Sequence, residues 1–308
     1  MDTAPHPAEA QPLAGPADAA PDRVEGTARS ADGTVIAWDR TGAGPPVVLV
    51  EPALHDRSFS AFDGLAPLLA PHLTVVRYDR RGRGASTGTG RDAGPDAVER
   101  EVEDLAAVLD AVGGPALLHG FSSGALLALH AAVRGLDVAA LVLVEPPLGD
   151  DDPDERARSV DFTAELAALV AAGRDADAVD RFHEGIGVPP EALAQTPPDV
   201  RATFERLAPT LVHDCRLGDG TTLDTLRAVR VPALVVDSAG SSPDLTGWAA
   251  RAAAALPRGT RRSLPGTWHG VADDALAAAV LDVAREHLLP GHGPAAGPGA
   301  SGGRHPSG

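Results

Sequence analysis

Short apolar runs recur along the chain at Val47 to Val50, Leu73 to Val76, Ala116 to Leu118, Leu141 to Val144 and Ala233 to Val236. Runs this continuous suit strands covered on both faces, as in a parallel sheet. The stretches between them have helical spacing. Between the second and third runs, Val98, Val102, Leu105, Leu109 and Val112 fall on one helical face, while Glu99, Arg100, Glu103, Asp104 and Asp110 fall elsewhere. Strand and helix patterns that alternate in this way predict an α/β fold. A leading hairpin is expected over Gly26 to Asp39, turning at Ala31-Asp32-Gly33. Helices are expected at Ala249 to Leu256 and Leu276 to Leu288, flanking a last strand near Thr260 to Leu264.

The interval from Val144 to Val231 is too long for one crossover. It holds helical patterns at Phe162 to Ala172 and Arg201 to Leu207, separated by turns at Pro189-Pro190 and Pro197-Pro198. The pattern predicts a helical lid over about 148–228, inserted after the sixth strand, where such segments carry specificity.

Composition trims this picture at its ends. The first 22 residues and residues 290–308 are dominated by Ala, Pro, Gly, Asp and Ser, too poor in apolar surface to offset the entropy of ordering. Disordered tails are expected there, leaving one domain over 23–289. The first segment lacks the basic start and apolar centre of a secretory signal, and no run approaches the roughly 20 apolar residues of a membrane span. A single cysteine, Cys215, allows no internal disulfide and suits the cytoplasm. The net charge is −17, with 43 acidic residues against 26 basic ones, all arginine, which disfavours nucleic acid and anionic membranes as partners. The acidic run from Asp150 to Glu155 matches no calcium loop and is interrupted by Pro153, so it reads as a solvated stretch and not a metal site.

The chemistry begins at Gly120-Phe121-Ser122-Ser123-Gly124, which follows an apolar strand and precedes the helix expected from Ala125 to Val133. A serine on so sharp a turn is pushed out over the carboxyl edge of the sheet, and small neighbours let strand and helix backbones approach. Ser122 is therefore the candidate nucleophile. Its hydroxyl needs an imidazole to accept the proton and a carboxylate to orient that imidazole. In the chain order serine, acid, histidine, the base falls late, and His269 in Thr267-Trp268-His269-Gly270 has that position. His292 and His305 lie in a tail, and His119 lies inside a strand.

With these residues the chain resembles the α/β-hydrolase superfamily over about residues 26–289. The elbow, the late histidine, the lid position and the pattern Asp-x-Arg-Gly-x-Gly-x-Ser at Asp79 to Ser86 carry the resemblance. It implies a mostly parallel sheet with helices on both faces and a cofactor-independent hydrolase with a small-molecule substrate. The arginines of the 79–86 loop are expected to shape that loop and not to bind phosphate. By the same resemblance the oxyanion donors are the N–H of Ser123 and that of Ala53 or Leu54, because Pro52 in Glu51-Pro52-Ala53-Leu54 has none to give. A charged Glu51 aimed at the hole would oppose the developing anion.

Many relatives carry the acid in the loop after the seventh strand, but the matching place here is Ser241. Asp237 and Asp244 lie nearby. Glu145, directly after the sixth strand, is the favoured acid, as in certain haloalkane dehalogenases; a carboxylate ending a buried strand needs a partner. A serine at the elbow disfavours the alkyl-enzyme route of dehalogenases themselves. The expected reaction is hydrolysis of a carboxylic ester or related acyl compound through an acyl-enzyme on Ser122. Acyl transfer, carbon–carbon bond hydrolysis, or a degenerate fold that binds a small ligand without turnover are the alternatives.

Overall fold

A computed structural model of the chain describes residues 23–288, apart from 89, 92 and 149–151. The tails expected at 1–22 and 290–308 lie outside the described residues. The strands are β1 (Val24–Arg29), β2 (Val35–Thr41), β3 (Pro46–Val50), β4 (Thr74–Tyr78), β5 (Ala116–Phe121), β6 (Val138–Val144), β7 (Ala233–Ser238) and β8 (Gly259–Leu264). They form one sheet in the order β1-β2-β4-β3-β5-β6-β7-β8. The β1–β2 hairpin and the β2–β4 pair are antiparallel, and every later pair is parallel.

The helices before the long interval are α1 (Leu65–Leu69), α2 (Ala97–Val112) and α3 (Ser123–Val133). Within it lie α4 (Pro153–Ala171), α5 (Asp175–Gly185), α6 (Pro190–Ala194), α7 (Pro198–Leu207), α8 (Leu211–Gly220) and α9 (Leu223–Ala228), followed after β7 by α10 (Pro243–Ala255) and after β8 by α11 (Asp273–His287). Strand residues alternate between faces, which is why apolar runs are continuous. Val48, Val50, Leu118 and Leu143 join a core with α2, α3 and α10, whereas Val47, Leu49, Leu117 and Val142 join another with α1 and α11.

The helices described between β6 and β7 divide by their packing. Leu166, Val170, Val179, Leu207 and Leu211 build a separate small core that includes Leu54 from the loop after β3. Leu217 and Leu226, in contrast, are buried in the core beneath the sheet. The insert thus has an upper part resting on the β3 loop and a base packed on α2 and α3. Both proline pairs open helices: Pro190 begins α6, and Pro197 caps α7 with Pro198 at its first position, where a missing N–H costs nothing. Asp152 caps α4, accepting from the backbone N–H groups of Asp154 and Glu155 at 2.8 and 3.1 Å.

Candidate active site

β5 ends at Phe121 and α3 begins at Ser123, so Ser122 alone makes the turn, with φ 52° and ψ −123°. Its backbone is held from both sides, since its N–H donates to Val144 O at 2.9 Å and its carbonyl accepts from Ala125 N at 2.9 Å. The glycines are required by proximity. A Cβ on Gly120 would lie 2.6 Å from Ala125 N, and one on Gly124 would lie 2.8 Å from Glu51 O and nearer still to Val50 O.

The imidazole of His269 reaches Glu145: Nδ1–H donates to Oε2 at 2.7 Å. The other carboxylate oxygen accepts from Ser238 N at 2.9 Å and from the Ser241 hydroxyl at 2.5 Å. Ser241 Oγ in turn accepts from His269 N at 3.0 Å, so this serine ties acid to base at the place where a carboxylate was sought in the sequence. Glu145 is fully buried. Burial alone would raise its pKa, but the hydrogen bonds from His269, Ser241 and Ser238 hold the carboxyl below its ordinary range. His269 sits in a two-residue link between β9 (Gly266–Thr267) and β10 (Gly270–Val271), which Ser238 Oγ fixes by donating to Thr267 O at 2.7 Å. Nδ1 is taken by Glu145, and the His269 and Ser122 side chains line one cavity without a mutual hydrogen bond among the described residues.

The other candidate acids are elsewhere. Asp237 is buried against Arg261, whose Nε donates to it at 2.6 Å. Asp244 lies in the first turn of α10 and lines the cavity. Among the described residues, the non-glycine positions with left-handed backbone are Leu54, Ser122, Glu145 and His269, with φ between 43° and 60°. Strained backbone of this kind gathers where side chains must be aimed.

The Glu51 carboxyl is turned toward Ser60 and Ala61. It accepts from the Ser60 hydroxyl and from Ala61 N at 3.1 Å, and burial pushes its pKa up to about 8, so it is neutral at pH 7. The folded protein keeps this proton up to about pH 8, whereas an exposed glutamate loses it near 4.5. The folded pKa is the raised one, so the associated stability is whole below the unfolded value and is lost as pH rises toward 8. Glu51→Gln removes the titration, and its stability relative to the parent should rise with pH across that window by at most about 1.4 kcal/mol per pH unit, seen as a melting temperature that gains on the parent's. Parallel melting curves from pH 5 to 8.5 would refute this.

The cavity has two lobes that meet at Ala53, Ser122, Phe182, Ile186, Trp268 and His269. One, of about 450 Å³, adds Leu54, His55, His183, Val188 and Phe204. Burial lowers the pKa of both His55 and His183, and Phe121, Phe182, Phe204 and Trp268 complete an aromatic lining. The second, of about 570 Å³, adds polar groups at Ser159, Thr163, Asp214, Ser242 and Asp244. The 79–86 loop lies beneath, with its arginines paired: Arg81 binds Asp104 at 2.7 and 2.8 Å, and Arg80 and Arg83 bind buried carboxylates. Sequence reasoning missed Ser241 as a link and missed Asp214 altogether. Among the described residues no group of three or more His, Cys, Asp or Glu is placed to hold a metal ion, and no helix is long and apolar enough to cross a membrane.

The model of the alpha/beta hydrolase family matches residues 47–283. An alpha/beta hydrolase from Sphaerobacter thermophilus DSM 20745 is 42% identical with a TM-score of 0.73, the match covering 84% of this chain and 99% of that one. The fold is also similar to that of an enol-lactonase from Burkholderia xenovorans LB400 (23% identity, TM-score 0.61, covering 84% and 99%). An esterase from Thermogutta terrifontis is similar at 21% identity and TM-score 0.65, covering 86% and 98%. No curated protein matches the chain.

Proposed function

Since the chain belongs to the alpha/beta hydrolase family, we propose that it is a serine hydrolase acting on a carboxylic ester or related small acyl compound. The observation that carries this reading is the 2.7 Å Glu145–His269 hydrogen bond beside an elbow serine in one shared cavity. Ser122 Oγ attacks the acyl carbon while His269 Nε2 takes its proton, and Glu145 stabilises the resulting imidazolium. The oxyanion accepts from Ser123 N–H and from the loop after β3. His269 then protonates the leaving alcohol, and a water activated by the same nitrogen releases the acid.

The upper helices of the insert act as a lid over this site. The aromatic lobe suits an apolar or aryl arm of the substrate, and the larger lobe suits a more polar one. A p-nitrophenyl ester is expected to be turned over by the wild type and by neither Ser122→Ala nor His269→Ala. Turnover that survives Ser122→Ala would sink the proposal. A folded wild type that also resists a fluorophosphonate would instead indicate a ligand-binding protein.

A further inference from the structure

Arg80 and Arg83 are among the largest fully buried side chains, each 1% exposed. They occupy the two variable places directly after Asp79 and Gly82 in the 79–86 loop, and burial there draws their terminal N–H groups onto acceptors, although Arg83 Nε has none among the described residues. Arg80 forks onto Glu101 of α2 with two bonds of 2.6 Å, and its Nη1 donates to Asp214 Oδ1 at 2.6 Å and to Glu51 O at 3.2 Å. Arg83 donates through Nη2 to Asp214 Oδ2 at 2.7 Å and through Nη1 to Pro52 O at 2.6 Å and His55 O at 3.2 Å. Asp214 Oδ1 also accepts from the Ser123 hydroxyl at 2.7 Å. One carboxylate of α8 therefore joins two arginines to the residue after the nucleophile.

The formal charges balance, two guanidiniums against Glu101 and Asp214. Burial would push the Asp214 carboxyl up, yet Arg80 and Arg83 hold it below its ordinary range, so it stays ionised.

Peptide geometry turns these contacts into a statement about the hole. A trans peptide points its C=O and N–H in opposite directions, and Pro52 O shares its peptide plane with Ala53 N–H. With Pro52 O drawn onto the buried Arg83, the Ala53 N–H faces away from that arginine, on the side where Ala53 lines both lobes beside Ser122. The next peptide is fixed differently: Ala53 O accepts from His55 Nδ1 at 2.8 Å, and the Leu54 side chain is buried in the insert core. Between the alternatives Ala53 and Leu54, this favours Ala53 as the donor.

We propose that Asp214, Arg80 and Arg83 are positioning residues that hold the two oxyanion donors, the N–H groups of Ser123 and Ala53, in register with each other. The proposal rests on the serine-hydrolase reading. It makes α8, a helix of the insert, part of the apparatus that stabilises the transition state although none of its atoms needs to touch the reacting carbonyl.

The experiment compares wild type, Asp214→Asn and Arg83→Lys by steady-state hydrolysis of a p-nitrophenyl ester, by inhibition with an aryl boronic acid, and by amide hydrogen exchange of the 51–60 segment. Lysine keeps the buried charge but cannot hold Pro52 O, His55 O and Asp214 from one planar fork. Loss of one oxyanion donor typically costs about 10²–10³ in kcat; displaced donors should give a kcat drop of about 10²-fold with KM within about threefold. Affinity for the tetrahedral boronate adduct should fall with kcat, which lost thermal stability alone would not produce. Exchange at 51–60 should quicken while the sheet keeps its protection. A folded variant that retains kcat and boronate affinity within about twofold overturns the proposal. If either variant does not fold, Ser123→Ala, which deletes only the hydroxyl held by Asp214, is judged by the same split between kcat and KM. An inactive wild type that binds no boronate would contradict the hydrolase reading instead, and the exchange result alone would then decide whether the cluster orders the loop.

Discussion

Glu145→Gln is expected to lower turnover by about 10⁴ while the protein stays folded, the magnitude known for an isosteric loss of the orienting carboxylate in a serine protease. Both Glu145 oxygens are acceptors, one for His269 Nδ1–H and the other for Ser238 N–H and the Ser241 hydroxyl. An amide has one oxygen and one NH₂. Turned so that its oxygen meets His269, it sets NH₂ against Ser238 N–H; turned the other way, it donates to Nδ1 and forces the proton onto Nε2, the tautomer that cannot accept from Ser122. Asp237→Asn and Asp244→Asn touch neither ring nitrogen and should keep turnover within about tenfold. Steady-state kinetics on the three variants, each checked by melting, decide the matter. Near wild-type turnover in Glu145→Gln would remove this residue from the mechanism.

The second large effect is structural. Gly124→Ala should lower stability by about 3 kcal/mol, at the upper end for overpacking, because the added methyl meets backbone and not a flexible side chain. Its Cβ would fall 2.8 Å from Glu51 O and closer to Val50 O, at the end of β3 from which the oxyanion loop departs. To relieve the clash, α3 and β3 must move apart, and Ser123 and Ala53 separate with them. A melting temperature lower by about 6–12 °C is expected, together with reduced kcat in the molecules that remain folded. An unchanged melting temperature would mean the elbow tolerates more space than its geometry implies.

Strands were readable wherever both faces are covered, so the runs at Val47, Ala116, Leu141 and Ala233 fall within β3, β5, β6 and β7. Helix starts were less so. The pattern suggested a helix from Phe162, yet α4 begins at Pro153, because its first two turns are exposed and carry no apolar period. α5, α8 and α9 had no distinct pattern; α8 buries His213 and Asp214 where a periodic reading expects apolar residues.

Local context was enough to propose Ser122 and His269 as candidates, each following a recognisable strand, but it left Glu145 only favoured among three carboxylates. Asp237 and Asp244 were equally near in sequence, and only the three-dimensional course of β6, β7 and the β9–β10 link separates them from Glu145. Ser241 looked like a gap, because the pattern asked for a carboxylate and not for a hydroxyl between acid and base. The partners of Arg80 and Arg83 were beyond reach, since Asp214 lies more than a hundred residues along the chain, at separations of 134 and 131.

The proposed mechanism requires a covalent acyl group on Ser122. It is tested most directly by mixing the wild type with an activated acetyl ester, quenching in acid at times from milliseconds to seconds, and mapping acetylation by peptide mass spectrometry. Acetyl is expected on Ser122 in the peptide spanning the elbow, longer-lived in Glu145→Gln and absent in Ser122→Ala. Product formed at every quench time with Ser122 unmodified, or acetylation confined to another residue, would contradict it.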